Sequence, residues 1–271
     1  MTKLLSRSGN QGFIWRGQSN AKWFLESSLE RALRNGSLLP ADWDDGEQRA
    51  LSYFRAHAAT FLGNPPPEYD FINWLILMQH YGAPTRLLDW SESPFVAAYF
   101  AYSEMLPSQR EPAVLWAYDT ALAITALQEG DPPLKFPEPR DANPGGTRLS
   151  WADEVNKLVR DHIEGRYVIP LPVAPINPDP RMIAQQAILT VDACLKGGAM
   201  YPLPAGTEGL DLIYRIELPA EWRSAVLRDL ALMGITAAGL FPDIGGVALH
   251  ASRIIRDGFV HVRSVIEGHL R

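Results

Sequence analysis

The stretch QHYGAPTRLLDWSESPFVAAYFA, from Gln79 to Ala101, constrains this chain more than any other. It sets His80, Tyr81, Thr85, Arg86, Asp89, Ser91, Glu92 and Ser93 between two apolar runs. The run before it, FINWLILM, reads as a buried helix that Asp70 can cap and that Gly82 can end in a left-handed turn. The run after it starts with Ser93-Pro94, a capping side chain followed by the residue best suited to a first helical turn. Phe95, Tyr99, Tyr102 and Leu106 then recur at helical spacing and predict a buried face. Polar groups held between two packed helices must satisfy one another or hold a ligand. Both outcomes fit this segment: a well-bonded helix-to-helix loop, or the wall of a binding site.

Around it the chain mixes both periods. Phe13 to Arg16 predicts a short strand stopped by Gly17, Ala113 to Tyr118 a core strand, and Leu212 to Leu218 a third. The last half of RMIAQQAILTV suits a strand, and the tail from Phe259 an edge strand. Helices are expected over Leu25 to Leu33, Glu47 to Leu62, Trp151 to Ile163 and Glu221 to Met233, with a turn at Gly234. In the second of these, Leu51, Phe54, Ala58, Phe61 and Leu62 share one side. Asp131 to Gly146 is Pro-rich and without period, a loop or insertion, and Pro170 to Pro180 is a second Pro-rich crossing. Without a regular βαβ repeat, this order predicts an α+β fold, or α/β with irregular order as the alternative, and the lack of a clear linker predicts a single domain over 1–271.

Composition excludes several classes. No apolar run approaches the ~20 residues of a membrane span, and MTKLLSRSGNQ lacks the apolar core of a secretion signal. One cysteine, Cys194, leaves no internal disulfide and fits a reducing cytoplasm. A net charge of −6 gives no global basic field for nucleic acid, although a local basic groove stays compatible with it. There is no phosphate-binding G-x-x-x-x-G-K-[ST] loop, dinucleotide glycine fingerprint, H-E-x-x-H or G-x-S-x-G. The six histidines are scattered without metal-ligand spacing, so no metal is expected.

The remaining polar residues each have two readings. Arg16, at the end of a strand, can present its planar fork to phosphates while Gly17 lets a ligand approach, or it can pair with a core carboxylate. His80 and Tyr81 offer an imidazole beside an aromatic face, suited to a nucleobase or nicotinamide ring, or His80 simply bonds loop carbonyls. Arg86 and Asp89 supply a cation and a carboxylate to a site, or pair with each other to hold the loop. Ser91 and Ser93 can be caps alone. Asp243, in FPDIGG, is either a site carboxylate or a helix cap, and Gln185, Gln186 and Glu217 also lie beside apolar stretches.

Trp15-Arg16-Gly17-Gln18, taken with the central block, resembles the FRG domain, a bacterial and phage family named for a Phe-Arg-Gly motif. Arg181 to Gln186 (RMIAQQ) and Phe241 to Gly246 (FPDIGG) are similar too, so the likeness spans Phe13 to Ala248. FRG domains in turn look like divergent relatives of the ADP-ribosyltransferase fold. That likeness implies a split, mostly antiparallel β-sheet core with helical insertions, and NAD as substrate. In the larger family an aromatic-Arg-Gly strand end grips the NAD phosphates, which corresponds to Arg16. A Ser-Thr-Ser strand then feeds a helix with Ala-x-x-Phe-Ala, to which Asp89-Trp90-Ser91 and Ala98-Tyr99-Phe100-Ala101 are similar. The late-strand glutamate of that family has no Glu-x-Glu counterpart here, only Gln185-Gln186, Glu217 and Asp243. The resemblance thus implies Arg16, His80, Asp89 and Asp243 as catalytic residues. Gly17, Gln18, Tyr81, Thr85, Arg86, Ser91 and Gln185 would join Arg16 in holding NAD.

The expected function is NAD-dependent ADP-ribosylation of a macromolecule, nucleic acid or protein, by a cytoplasmic toxin or anti-phage effector, with an antitoxin or regulatory protein as a further partner. Two alternatives stand beside it. One is a non-catalytic nucleotide- or nucleic-acid-binding module, favoured by the missing glutamate. The other is a nuclease-like or hydrolytic toxin using His80 and Asp89.

Overall fold

The computed structural model describes residues 12–37, 40–129, 156–157, 171–173, 178–191 and 212–257. Among them six strands form one open antiparallel sheet: β1 (Phe13–Gln18), β2 (Leu87–Ser91), β3 (Ala113–Asp119), β4 (Leu171–Val173), β5 (Ala187–Val191) and β6 (Ile213–Leu218). Their order across the sheet is β4-β5-β2-β1-β3-β6, which puts β1 and β2 at the centre. The fold is α+β, as the mixed periods predict. No helix among the described residues is long and apolar enough to cross a membrane.

Helix ends follow the local chemistry. In α1 (Ser28–Arg34), Ser27 and Glu30 form a capping box, the Ser27 hydroxyl accepting from the Glu30 amide while the Glu30 carboxylate accepts from the Ser27 amide. After α2 (Trp43–Ala58), Asp70 starts α3 (Phe71–His80) by accepting from the Asn73 amide at 3.2 Å. Gly82 follows α3 with φ +83° and Gly234 follows α7 (Arg223–Leu232) with φ +82°, a region glycine enters without a Cβ clash. Ser93 caps α4 (Pro94–Ser103), with Pro94 in its first turn. Helix α5 (Thr120–Glu129) follows β3, α6 (Pro180–Ala184) precedes β5, and α8 (Ala237–Leu240) leads to α9 (Ile244–Asp257).

Three expectations are corrected. The polar stretch after Gly82 is not all loop, because Leu87–Ser91 is the central strand β2, with Leu87, Leu88, Trp90 and Ser91 buried. Burial on both faces removes the alternation by which a strand is usually recognised. The buried face of α4 is formed by Val96, Ala97, Tyr99, Ala101 and Tyr102, whereas Phe95 and Leu106 are exposed. Phe61 is likewise exposed, in a 3-10 turn (Ala59–Phe61) that follows α2. The Pro-rich segment 131–146 and the tail from Phe259 lie outside the described residues, as does the helix expected from Trp151, apart from Asn156 and Lys157.

Two contacts fix the frame around the sheet centre. A Cβ on Gly17 would sit 1.9 Å from the Ala97 carbonyl oxygen and 2.6 Å from the Ala101 amide nitrogen. The missing side chain of Gly17 therefore admits the α4 backbone. The second contact is ionic. Arg86 Nε donates to both carboxylate oxygens of Glu47, at 2.9 and 2.8 Å, and Arg86 Nη2 bonds Glu47 again and Asp44 at 3.2 Å. Both Arg86 and Glu47 are buried, so the pair ties β2 to α2.

Each contact yields a stability prediction. Gly17→Ala should cost about 3 kcal/mol or more, the upper end for overpacking, because backbone rather than a flexible side chain must move. An unchanged urea midpoint would contradict this close approach. Glu47→Ala should cost about 3–5 kcal/mol by leaving the Arg86 charge buried without its main partner. Chemical denaturation measures this, and a loss below about 1 kcal/mol would contradict the pairing.

Candidate functional site

Strands β1 and β2 are neighbours, yet a single register pair, Trp15 with Ser91, joins them. By contrast β1 and β3 pair at six positions from Phe13 to Gln18. Where the β1–β2 ladder stops, a side chain bridges the strands: Arg16 Nη1 donates to the Asp89 carbonyl oxygen at 2.6 Å. The same nitrogen lies 4.0 Å from the Asp89 carboxylate, whose side chain is 64% exposed. Arg16 and Asp89 thus come together across 73 residues of sequence, in the wall of a cavity of about 1030 Å³. That volume is at the upper end of the roughly 300–1,000 Å³ found for small-molecule sites.

A chain of hydrogen bonds orients the carboxylate. The Thr85 hydroxyl accepts from the Leu87 amide at 3.3 Å and donates to Gln79 Oε1 at 2.5 Å. That fixes which way the Gln79 amide points, because its oxygen faces Thr85 and its nitrogen is left to donate. Gln79 Nε2 donates to Asp89 Oδ1 at 2.5 Å. On the same wall His80 Nδ1 lies 3.3 Å from Asp179 Oδ2, while Asp179 caps α6 by accepting from the Met182 amide at 2.8 Å. The Arg181 guanidinium stacks over the Phe241 ring, 4.6 Å from its centroid.

Of the residues expected in the site, Arg16, Gly17, Gln18, His80, Asp89, Ser91 and Gln185 all line this cavity. Several of them do so as masonry. Gln18 accepts from the Trp116 indole at 2.6 Å and donates to the Phe24 carbonyl at 3.1 Å. Ser91 Oγ donates to the Gln185 carbonyl at 2.7 Å and accepts from the Ser93 amide at 3.1 Å. Gln185 Nε2 donates to the Leu240 carbonyl at 3.0 Å. These three groups hold strand ends and turns together around the opening.

Four of the expected residues are placed otherwise. Thr85 is fully buried, with its backbone bonded at both ends to the start of α1: its amide donates to Ser28 Oγ and its carbonyl accepts from the Leu29 amide. Arg86 is buried against Glu47 instead of pairing with Asp89. Tyr81 is exposed and packs edge-on against His80 at 5.1 Å, away from the cavity lining. Asp243 accepts from the Gly246 amide at 2.8 Å and is the cap of α9, outside the cavity.

Other carboxylates at the cavity are committed. Glu104 accepts from Arg253 at 3.0 Å, an arginine whose pKa burial pulls down to about 10, with Arg256 acting in the same direction. The Glu26 side chain is 6% exposed and accepts from Arg34 at 2.7 Å, and its Oε2 is turned inward out of solvent. Asp89 and Glu104, at 64% and 66%, are about equally exposed, and it is Asp89 that lies 4.0 Å from Arg16. Among the described residues no three His, Cys, Asp or Glu side chains gather as a metal site requires.

Sequence reasoning named Gln79 and Arg181 only as members of their stretches, without a role, and passed over Asp179, Lys22, Trp23 and Phe24, which all line the cavity. The last two carried a signal. Two consecutive large aromatics in the short polar stretch after a strand are candidates for an exposed binding surface.

Comparison with known proteins gives one result. Residues 11–110 match the FRG domain. No match was found among curated proteins or solved structures. The matched segment contains β1, β2 and α1 to α4, and so contains Arg16, Gln79, His80 and Asp89. RMIAQQ and FPDIGG lie beyond it. The segment that brings Arg16 to Asp89, residues 11–110, is thus the part of this chain that is similar to the FRG domain.

Proposed function

We propose that this protein is an NAD-dependent ADP-ribosyltransferase that modifies a macromolecule, with a divergent ADP-ribosyltransferase-like fold. The observation that carries the reading is the meeting of Arg16 and Asp89 from neighbouring central strands in one cavity wall. An aromatic-Arg-Gly strand beside a strand that feeds a helix is the arrangement which that family implies. In this reading Arg16 holds the pyrophosphate, since a guanidinium fork matches phosphate oxygens. Asp89, oriented by Gln79, stands in for the late-strand glutamate. The bond between nicotinamide and the ribose C1′ breaks, with its electron pair leaving on nicotinamide. The carboxylate stabilises the oxocarbenium-like ribose cation that develops. An acceptor oxygen or nitrogen then bonds C1′ and gives up its proton to Asp89 or water.

A role as a cytoplasmic toxin or anti-phage effector, restrained by an antitoxin, belongs to the same proposal. One observation favours the rival reading of a non-catalytic nucleotide-binding module: Gln185 and Gln186 stand where a late-strand carboxylate is expected, and the Gln185 amide is occupied by Leu240. Incubation of the purified chain with labelled NAD and host lysate decides between them. Label entering protein or nucleic acid supports transfer, and its absence with intact NAD binding supports the module.

Two substitutions sharpen this test. Arg16→Lys should weaken NAD binding about tenfold or more by calorimetry, since a lost charged hydrogen bond is worth roughly 1.5–3 kcal/mol and lysine cannot bind bidentately. Unchanged affinity would remove Arg16 from the site. Asp89→Asn should abolish turnover with NAD binding and melting temperature kept, because the structural partner of Arg86 is Glu47. A variant that turns over at the native rate would end the catalytic role of Asp89.

A further inference from the structure

Trp23 and Phe24 are 54% and 55% exposed, adjacent in sequence, and both line the cavity that holds Arg16 and Asp89. Exposed aromatics usually lie on loose surface, but this turn is bolted down. The Ala21 amide donates to the Pro112 carbonyl at 2.9 Å, and Arg215 Nη2 donates to the Ala21 carbonyl at 2.6 Å. The Lys22 and Trp23 amides bond Asn20, and the Phe24 carbonyl accepts from Gln18. Ala21 and Leu25, on either side, are buried in the core. The backbone is thus held at both ends while two rings are presented to solvent.

The charges beside the rings say what they receive. Lys22 is largely exposed, its ammonium 3.7 Å from the Glu111 carboxylate. Arg31 and Arg34 line the same cavity, Arg31 donating to the Glu26 carbonyl at 2.9 Å and Arg34 to the buried Glu26 carboxylate at 2.7 Å. Cations around an aromatic ledge disfavour a cationic guest such as an arginine side chain, and favour a flat ring that carries phosphate. They do so locally in a chain whose net charge is −6.

We infer that Trp23 and Phe24 form a stacking ledge for unpaired bases of a single-stranded nucleic acid, which serves as the acceptor delivered to the cavity. Lys22 and Arg31 face its phosphates. Stacking of this kind tolerates sequence, because every base has a π-face, and it fails for a closed duplex. The acceptor role rests on the transferase reading above, whereas the binding itself does not require NAD.

The test uses the full chain and fluorescein-labelled short single strands of RNA and of DNA, followed by anisotropy without NAD. At least one type of strand should bind saturably and the same sequence as a duplex much more weakly. Trp23→Ala and Phe24→Ala should each lower affinity roughly five- to hundredfold, the range for one lost base–aromatic stack. Trp23→Phe should retain most of it, and melting temperatures should stay near native because both rings are exposed. Absence of saturable binding, or native affinity in both alanine variants, would overturn the ledge. So would loss of NAD binding in Trp23→Ala with strand binding intact, which would assign the ring to the dinucleotide. An arginine-rich peptide that binds through Trp23 when neither strand does would assign it to a protein acceptor. Strand binding that survives in a chain unable to bind NAD would leave the ledge standing and the transferase reading refuted.

Discussion

The close approach of α4 to β1 at Gly17 is the contact on which the centre of this fold depends. Only a residue without a side chain lets the Ala97 carbonyl come so near the strand. That approach sets Ala97 and Ala101 of α4 against β1, while Tyr99 and Tyr102 pack in a cluster with Leu227 and Leu230 of α7. Because β2 leads directly into α4 through the Ser93 cap, seating the helix also sets where β2 ends beside β1. The two strands meet at Trp15 and Ser91, and Arg16 reaches Asp89 where their ladder stops. The arginine of the Trp-Arg-Gly motif and its glycine therefore do different work: the glycine admits the helix and the arginine enters the cavity wall.

The polar segment between α3 and α4 divides in the same way. Thr85 and Arg86 turn inward, one binding the start of α1 and the amide of Gln79, the other neutralised by Glu47. Asp89 turns outward, and Gln79 holds it by one oxygen. A buried ion pair is costly to desolvate and contributes mainly when fully bonded, as the two-point contact between Arg86 and Glu47 is. The polar residues of this stretch are thus neither all loop masonry nor all ligand contacts. The inward group fixes β2, and β2 fixes Asp89.

Much of this was legible in the sequence, and the reasons are local. Ser93, Asp70 and Asp243 cap helices as their chemistry dictates, and Gly82 and Gly234 adopt the positive φ that a helix end invites. Strand β3 announced itself as an unbroken apolar run. What escaped detection depends on distant partners. Arg86 had a carboxylate three residues away, yet pairs with one 39 residues away on α2, which no spacing rule reveals. Strand β4 was hidden by Pro172, tolerable only because β4 is an edge with a single neighbour. Arg16 and Asp89 could be nominated one by one, but their meeting is a property of the sheet order.

The functional account stands on that meeting, and a crystal structure of the chain with a non-hydrolysable NAD analogue tests it most directly. The account predicts the pyrophosphate within hydrogen-bonding distance of Arg16 and the nicotinamide-side ribose facing the Asp89 carboxylate. An analogue bound elsewhere, or bound in this cavity with its ribose turned away from Asp89, would contradict it.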